Sequence, residues 1–175
     1  MSLRKNRISQ DYARLKKMYK EGLIGQLKPF DSKNKRMDHL KVLLIGPKGT
    51  PYEGGVFRLE IKFPDDYPHK PPFVRLHTAI WHPNFWAKPK EYPGERNICL
   101  ALVDPGLIGQ KGGWSPSKTI ATIIQAIYAM MNTAGQYINP TDVFNKKAAV
   151  ELMENPKKFN KKVKHLVKKY AKDKW

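Results

Sequence analysis

Cysteine is almost absent from this chain, because Cys99 is the only one among 175 residues. A single thiol excludes an internal disulfide bond, and it is too few for a thiolate metal cage, so we expect no metal site. Cys99 is therefore either a small buried apolar side chain or a nucleophile. Its residue type alone favours burial, because unpaired cysteine is among the most buried residue types in proteins.

The chain also lacks long apolar segments. No run of about 18 apolar residues occurs, and no basic stretch leads into an apolar one, so we expect neither a membrane span nor a secretory signal, and no membrane partner. The single cysteine points in the same direction, since it favours a reducing compartment. The expected location is the cytoplasm, and also the nucleus.

Acidic residues are scarce as well. Asp and Glu number 15 against 33 Lys and Arg, which gives a formal net charge of +18. The basic residues are concentrated at the two ends of the chain. Such a charge favours nucleic acid, anionic lipid or an acidic protein as a partner.

The first half of the chain predicts one helix followed by an antiparallel sheet. Ile8, Tyr12 and Leu15 recur at helical spacing, and Gly22 ends that pattern. Further strands are predicted at residues 39–45 and 73–76. The clearest strand has apolar residues alternating with charged ones, which gives one buried and one solvated side: Phe57, Leu59, Ile61 and Phe63 against Arg58, Glu60 and Lys62.

The second half predicts a long irregular region and then helices. Residues 80–113 are rich in proline and glycine and show little periodicity, and Cys99 lies in their middle. Long loops inside a domain are often functional. Ser115 is a predicted N-cap with Pro116 at the first helical position, and two more helices are predicted near residues 144–154 and at the C-terminal end. The last helix should pack through Phe159, Val163, Leu166, Val167 and Tyr170. Without repeats or linkers, we expect one α+β domain over residues 1–175.

Several short motifs occur in a fixed order along the chain. They are Thr50-Pro51-Tyr52-Glu53-Gly54-Gly55, Phe63-Pro64-Asp65-Asp66-Tyr67-Pro68, His82-Pro83-Asn84, Asn97-Ile98-Cys99-Leu100 and Trp114-Ser115-Pro116. In this order they resemble the ubiquitin-conjugating enzyme family over nearly the whole chain. The resemblance implies an N-terminal helix, a four-stranded antiparallel meander, a cysteine-bearing loop and C-terminal helices.

The resemblance also implies a chemistry for Cys99. In that family the cysteine accepts ubiquitin or a related modifier as a thioester from an activating enzyme. It then passes the modifier to a substrate lysine or to the cysteine of a ligase. A thiolate suits this task, because it is a good nucleophile and its thioester is readily cleaved by an amine. No cofactor is implied, since ATP is used only by the activating enzyme.

The family's active site also includes residues that match three positions upstream of the cysteine, which are His82, Pro83 and Asn84. Asn84 resembles the residue that donates a hydrogen bond to the oxyanion formed during lysine attack, although its amide could instead only fix the loop. His82 is expected to brace this loop rather than act as a base, and Pro83 is expected to fix its turn. A His–Cys pair would also suit a cysteine hydrolase, but no third triad member is evident.

An acidic residue near the thioester would help remove the proton of an attacking lysine. Asp142 resembles the family's residue in that role, and its alternative role is an N-cap for the following helix. The chain departs from many members at Ala101, where an aspartate is frequent. Asp104 would substitute for it only if the loop folds back.

Three segments around this site are longer than in compact members of the family. The extra residues lie within residues 86–95, 103–113 and 132–138. The extensions indicate either a rebuilt rim for an unusual partner or acceptor, or tolerated variation in loop length.

The family's partner surface combines the first helix with two loops. Basic helix residues are expected to meet an acidic groove of the activating enzyme, or else to form a solvated face. His69 stands where a large apolar residue often anchors a ligase. We expect the protein to be a monomer. The predicted partner-binding residues are Arg4, Arg7, Arg14, Lys17, His69, Ser115, Pro116 and Ser117.

Two alternative functions belong to other classes. One is a non-catalytic relative that binds ubiquitin, although such proteins usually lack the cysteine. The other is a basic nucleic-acid-binding module, supported by the net charge and by Trp81, Trp86 and Trp175 as expected exposed aromatics. No recognition helix, RNA-binding aromatic sheet motif or zinc site supports it. Salt-sensitive, nonspecific nucleic-acid binding is also compatible with catalysis.

Overall fold

One antiparallel sheet organises the part of the chain described by the computed structural model, which comprises residues 2–33, 36–91, 93–132, 143–172 and 175. Its four strands are β1 (Ile24–Pro29), β2 (His39–Ile45), β3 (Val56–Lys62) and β4 (Phe73–Leu76). They are neighbours in sequence order, and each pair is antiparallel. The predicted four-stranded meander is therefore confirmed.

Four α-helices flank the sheet in sequence. α1 (Leu3–Lys20) precedes it, and α2 (Ile120–Asn132), α3 (Lys146–Glu154) and α4 (Pro156–Tyr170) follow it. α1 contacts β1 and α2, whereas α3 packs against α4. No helix in the ranges given above is both long and apolar enough to cross a membrane.

The two sides of the sheet differ in chemistry. Phe57, Leu59 and Ile61 of β3 are fully buried, as their alternation predicts, and they pack with the buried side chains of α2. The opposite side is polar and faces away from this core. We call it the outer sheet face, and define it by His39, Lys41, Arg58, Glu60, Lys62, Phe73, Arg75 and the adjoining His77.

A buried carboxylate anchors α1. Asp11 is fully buried among the apolar residues of the helix, and its oxygens accept from Arg7 Nε at 2.9 Å and from Arg14 Nη1 at 3.3 Å. The Tyr67 hydroxyl also donates to Asp11. The two arginines compensate the buried charge within α1, and the Tyr67 hydroxyl joins the helix to the loop that follows β3.

The predicted start of α2 is wrong. Ser115 does not cap a helix, because its hydroxyl pairs with that of Ser117 at 2.9 Å, and α2 begins only at Ile120. Thr119 Oγ1 instead accepts from Thr122 N at 3.3 Å. Arg7 of α1 donates to the Pro116 carbonyl at 2.7 Å and also to the Lys118 carbonyl, and these distant contacts hold the segment as a turn.

Two smaller expectations for the last helices also need correction. α3 begins at Lys146 because Asn145 caps it, accepting from Ala148 N at 3.1 Å. On α4, Phe159 and Val163 are buried as predicted, but Tyr170 is 41% exposed and so does not belong to the packed face.

Candidate active site

The segment that carries Cys99 runs beside the segment that carries Asn84. Cys99 N donates to the Asn84 carbonyl at 2.7 Å, and Phe85 forms an antiparallel bridge with Ile98. Trp86 N donates to the Asn97 carbonyl at 3.0 Å. The side chain of Cys99 is half-buried. Main-chain contacts therefore place the Cys99 thiol next to Asn84. The sequence motifs single out both residues.

Asn97 anchors the cysteine segment to the sheet. Its side chain is fully buried, Oδ1 accepts from Leu76 N at 3.0 Å, and Nδ2 donates to Leu76 O at 2.6 Å. The amide thereby takes the place of a neighbouring strand at the end of β4. Sequence reasoning treated Asn97 only as part of the cysteine motif. Its position two residues before the cysteine was the available signal.

His82 links three parts of the site. Its ring is fully buried, Nδ1 accepts from Asn84 N at 3.0 Å, and Nε2 faces the Met130 carbonyl of α2 at 3.0 Å. The carbonyl can only accept, so these partners assign the proton to Nε2. Burial lowers the pKa of His82 from 6.5 to about 4, so the ring is neutral near pH 7. Both nitrogens are occupied, which supports bracing rather than base catalysis.

We expect the buried neutral ring of His82 to make stability depend on pH. Between pH 6.5 and about 4 the unfolded chain takes up a proton here that the folded chain does not. The free energy of unfolding should therefore fall by roughly 3 kcal/mol as the pH is lowered through this range. Urea unfolding of the wild type and of His82→Gln at several pH values would measure it.

The matched control for this experiment is His165→Gln, because His165 is exposed on α4. The difference in the free energy of unfolding between the wild type and His82→Gln should decrease as the pH falls. The difference between the wild type and His165→Gln should not decrease. A pH-independent difference between wild type and His82→Gln would contradict a buried neutral ring.

Asn84 uses its main chain and its side chain differently. Its amide N–H and carbonyl hold His82 and Cys99, as described above. Its half-buried side-chain amide has no hydrogen-bond partner among the described residues. Within the described residues, the loop contacts of Asn84 are therefore made by its backbone.

The acidic candidates have different outcomes. Asp142 lies outside the described residues. Asp104 does not take over the position that Ala101 leaves without a carboxylate, because its Oδ1 pairs with Arg96 Nη1 at 2.6 Å and accepts from Gly106 N at 2.9 Å. These hydrogen bonds, first that of Gly106 and then that of Arg96, lower the pKa of Asp104 and make it a weaker proton acceptor.

The extension at residues 86–95 is folded against β4. Arg75 donates to the carbonyls of Pro89 at 3.1 Å, Gly94 at 3.2 Å and Glu95 at 3.4 Å. The extension at residues 103–113 is closed by a hydrogen bond from Gly109 N to Trp114 O at 2.9 Å. Most of the third extension lies outside the described residues. The described residues of these two extensions are therefore held by main-chain hydrogen bonds.

Two of the three tryptophans expected to be exposed are packed. Trp81 and Trp86 are half-buried, and Trp81 Nε1 donates to Glu151 Oε2 of α3 at 2.7 Å. Lys162 of α4 lies over the Trp81 ring at 3.1 Å from its centroid. Trp81, which directly precedes His82, thus contacts both of the last two helices. Of the three tryptophans, only Trp175, at 38% exposure, matches the expectation.

The predicted partner surface lies on the first helix and two loops, but its cations are not equally accessible. Arg7 is held by Asp11 and the 116–118 turn and its side chain is only 15% exposed, so it acts inside the surface rather than on it. Arg4 is also engaged, donating to the Phe63 and Pro64 carbonyls at 2.8 Å each. Arg14 and Lys17 are 42% and 78% exposed. His69, Pro116 and Ser117 are exposed, and Ser115 is half-buried.

The chain matches known proteins over most of its length. The family model described as ubiquitin-conjugating enzyme matches residues 7–167. Ubiquitin-conjugating enzyme E2 3 of Arabidopsis thaliana is 32% identical over 163 residues, which cover 93% of each protein. Ubiquitin-conjugating enzyme E2 2 of Candida glabrata is 31% identical over 172 residues, which cover 97% of this chain and 87% of that protein.

A solved structure points to the same family as these relatives. The E2 domain of a Toxoplasma gondii ubiquitin conjugating enzyme superposes with a TM-score of 0.73 at 28% identity, covering 96% of this chain and 99% of that one. It supports the sheet, the helices and their order as described above. The chain therefore belongs to the ubiquitin-conjugating enzyme family and is a transferase.

Proposed function

We propose that Cys99 accepts ubiquitin or a related modifier as a thioester and that the chain then transfers it to a substrate lysine or a ligase cysteine. The observation that carries this proposal is the placement of a half-buried thiol beside Asn84, whose side-chain amide has no partner in the described ranges. Family membership implies ubiquitin, an activating enzyme and ligases as partners.

In the first proposed step, the Cys99 thiolate attacks the thioester carbonyl of the modifier held by the activating enzyme. A carbon–sulfur bond to Cys99 forms as the older one breaks, and the cysteine of the activating enzyme leaves as a thiolate. Because this exchange replaces one thioester with another, it needs no ATP on this chain.

In the second proposed step, a lysine amine attacks the Cys99 thioester and creates a tetrahedral oxyanion. The Asn84 amide donates to that oxygen, and Cys99 leaves as a thiolate when the amide bond forms. The amine must lose its proton, and Asp142 is our proposed acceptor because it matches the family's acidic residue. His82 contributes by fixing the Asn84 main chain while remaining neutral.

A charging assay tests this function. The protein is mixed with an activating enzyme, ATP and ubiquitin, and the products are separated on a non-reducing gel. A band heavier by one ubiquitin, and removed by a thiol reagent, is the expected result. If folded protein gives no such band, the assay is repeated with related modifiers and their own activating enzymes. Failure with all of them would favour a non-catalytic binding role.

A further inference from the structure

The outer sheet face carries an excess of positive charge. Lys41 of β2, Glu60 of β3 and Arg75 of β4 lie opposite one another in register, and Arg58 and Lys62 flank Glu60 along β3. Glu60 is the one carboxylate among the residues that define this face. Alternation along the strands therefore places four permanent cations around one acid.

Glu60 forms no ion pair with these cations in the described residues. Its Oε1 contacts His39 Nε2 at 2.7 Å and its Oε2 contacts His77 Nε2 at 2.7 Å, so both oxygens are already engaged by imidazoles. In the part of the chain that the structure covers, the four cations form no ion pair with a carboxylate. They are Lys41, Arg58, Lys62 and Arg75.

One of these cations is held in place by groups that carry no net charge. The Arg75 guanidinium is fixed by three main-chain carbonyls of the 86–95 extension, which satisfy its N–H groups but carry no net charge. Arg58 Nε is buried and has no hydrogen-bond acceptor within the described residues. Arg58 also lines the cavity described below.

Aromatic rings lie beside these charges. The Trp175 indole lies 5.3 Å from the His77 ring and 6.0 Å edge-on from Phe30, and Lys41 Nζ is 5.4 Å from its centroid. Phe30 is itself stacked on His39 at 4.1 Å. Trp175 remains 38% exposed, so part of its ring surface is open to a ligand.

An open cavity of about 1120 Å³ runs along this face, and Arg58, Lys62, Arg75 and Trp175 line it. This volume exceeds the roughly 300–1,000 Å³ of ordinary small-molecule sites, and it suits a segment of extended chain. Carboxylates line the cavity as well, and Asp38 is paired with Arg36 at 2.6 Å and with Arg4 at 3.2 Å. The acidic lining residues are Asp31, Asp38, Glu60, Asp65 and Glu95.

We propose that the outer sheet face binds single-stranded nucleic acid, with its four unpaired cations contacting phosphates and Trp175 stacking on a base. Cations on rigid strands beside an accessible ring are the combination that single strands use, since phosphates need charge and bases need stacking partners. An acidic peptide would use the cations and gain little from the indole. This site lies apart from Cys99 and does not depend on the proposed transfer reaction.

Fluorescence anisotropy with a labelled oligouridylate of 12 nucleotides tests the proposal. We expect the logarithm of the association constant to fall against the logarithm of salt concentration with a slope of about −2 to −3, since each phosphate contact contributes about −0.7. The double variant Lys41→Ala/Lys62→Ala should bind at least about tenfold more weakly and reduce that slope by about 1.4. Trp175→Ala should also weaken binding about tenfold, through lost stacking.

The matched control is Lys164→Ala/Lys168→Ala, which removes two exposed lysines of α4 and the same total charge. Its binding should remain within about twofold of the wild type. Equal losses in both double variants would overturn the proposal in favour of diffuse attraction. Tighter binding of polyglutamate, or of duplex RNA, than of the single strand would also overturn it. Unchanged charging and thermal unfolding of the variants show that they are folded.

Discussion

Replacing Cys99 with alanine will abolish the modifier-bearing band in the charging assay. The fold should survive, because the contact that holds this segment is made by the Cys99 main-chain N–H to the Asn84 carbonyl, and alanine keeps it. Loss of the thiol group creates little cavity, because the Cys99 side chain is only half-buried. The effect on charging is therefore attributable to the missing nucleophile.

Cys99→Ser is the matched companion to this variant. Serine retains a nucleophilic oxygen, and any adduct it forms is an ester that thiol reagents do not cleave. We expect a thiol-resistant band or none. A thiol-sensitive band in Cys99→Ala would contradict the assignment, since no other cysteine exists in the chain.

Replacing Asn84 with alanine should slow transfer to lysine by about 100-fold or more, while charging is largely retained. The two effects separate because the Asn84 main chain, which any residue supplies, holds His82 and Cys99 in position. The side-chain amide makes no hydrogen bond within the described residues. Single-turnover discharge of the preformed thioester to free lysine is the appropriate measurement.

Asn160→Ala provides the control, because Asn160 is exposed on α4. It should leave charging and discharge unchanged. Should a folded Asn84→Ala protein lose both steps to the same degree, its side chain would have a role in shaping the loop, and oxyanion stabilisation would not be its main contribution.

Local patterns in the sequence predict the sheet well. The alternation through Phe57, Leu59 and Ile61 defines β3 without help from the rest of the chain, because burial of one strand side has a period of two. The cysteine motif also singles out the thiol that the structure places beside Asn84. Both features depend on residues close together in sequence.

The features that sequence reasoning misses depend on distant contacts. Ser115 and Pro116 have the composition of a helix start, but Arg7, more than 100 residues earlier, binds the carbonyls of that turn. Arg7 was for the same reason assigned to the surface, although Asp11 draws it inward. Trp81 reads as an exposed aromatic until α3 brings Glu151 to its ring nitrogen. The contacts of Arg7 with the turn and of Trp81 with Glu151 have no local signature, whereas Arg7 and Asp11 are an i,i+4 pair within α1.

The anchoring of Asn97 has a consequence for how this protein can change over generations. Its two hydrogen bonds to Leu76 fix the cysteine from the sheet side, immediately after the 86–95 extension ends. Residues can therefore be added or lost upstream of the anchor without displacing the thiol. The length and composition of the extension can then differ while Cys99 keeps its place beside Asn84.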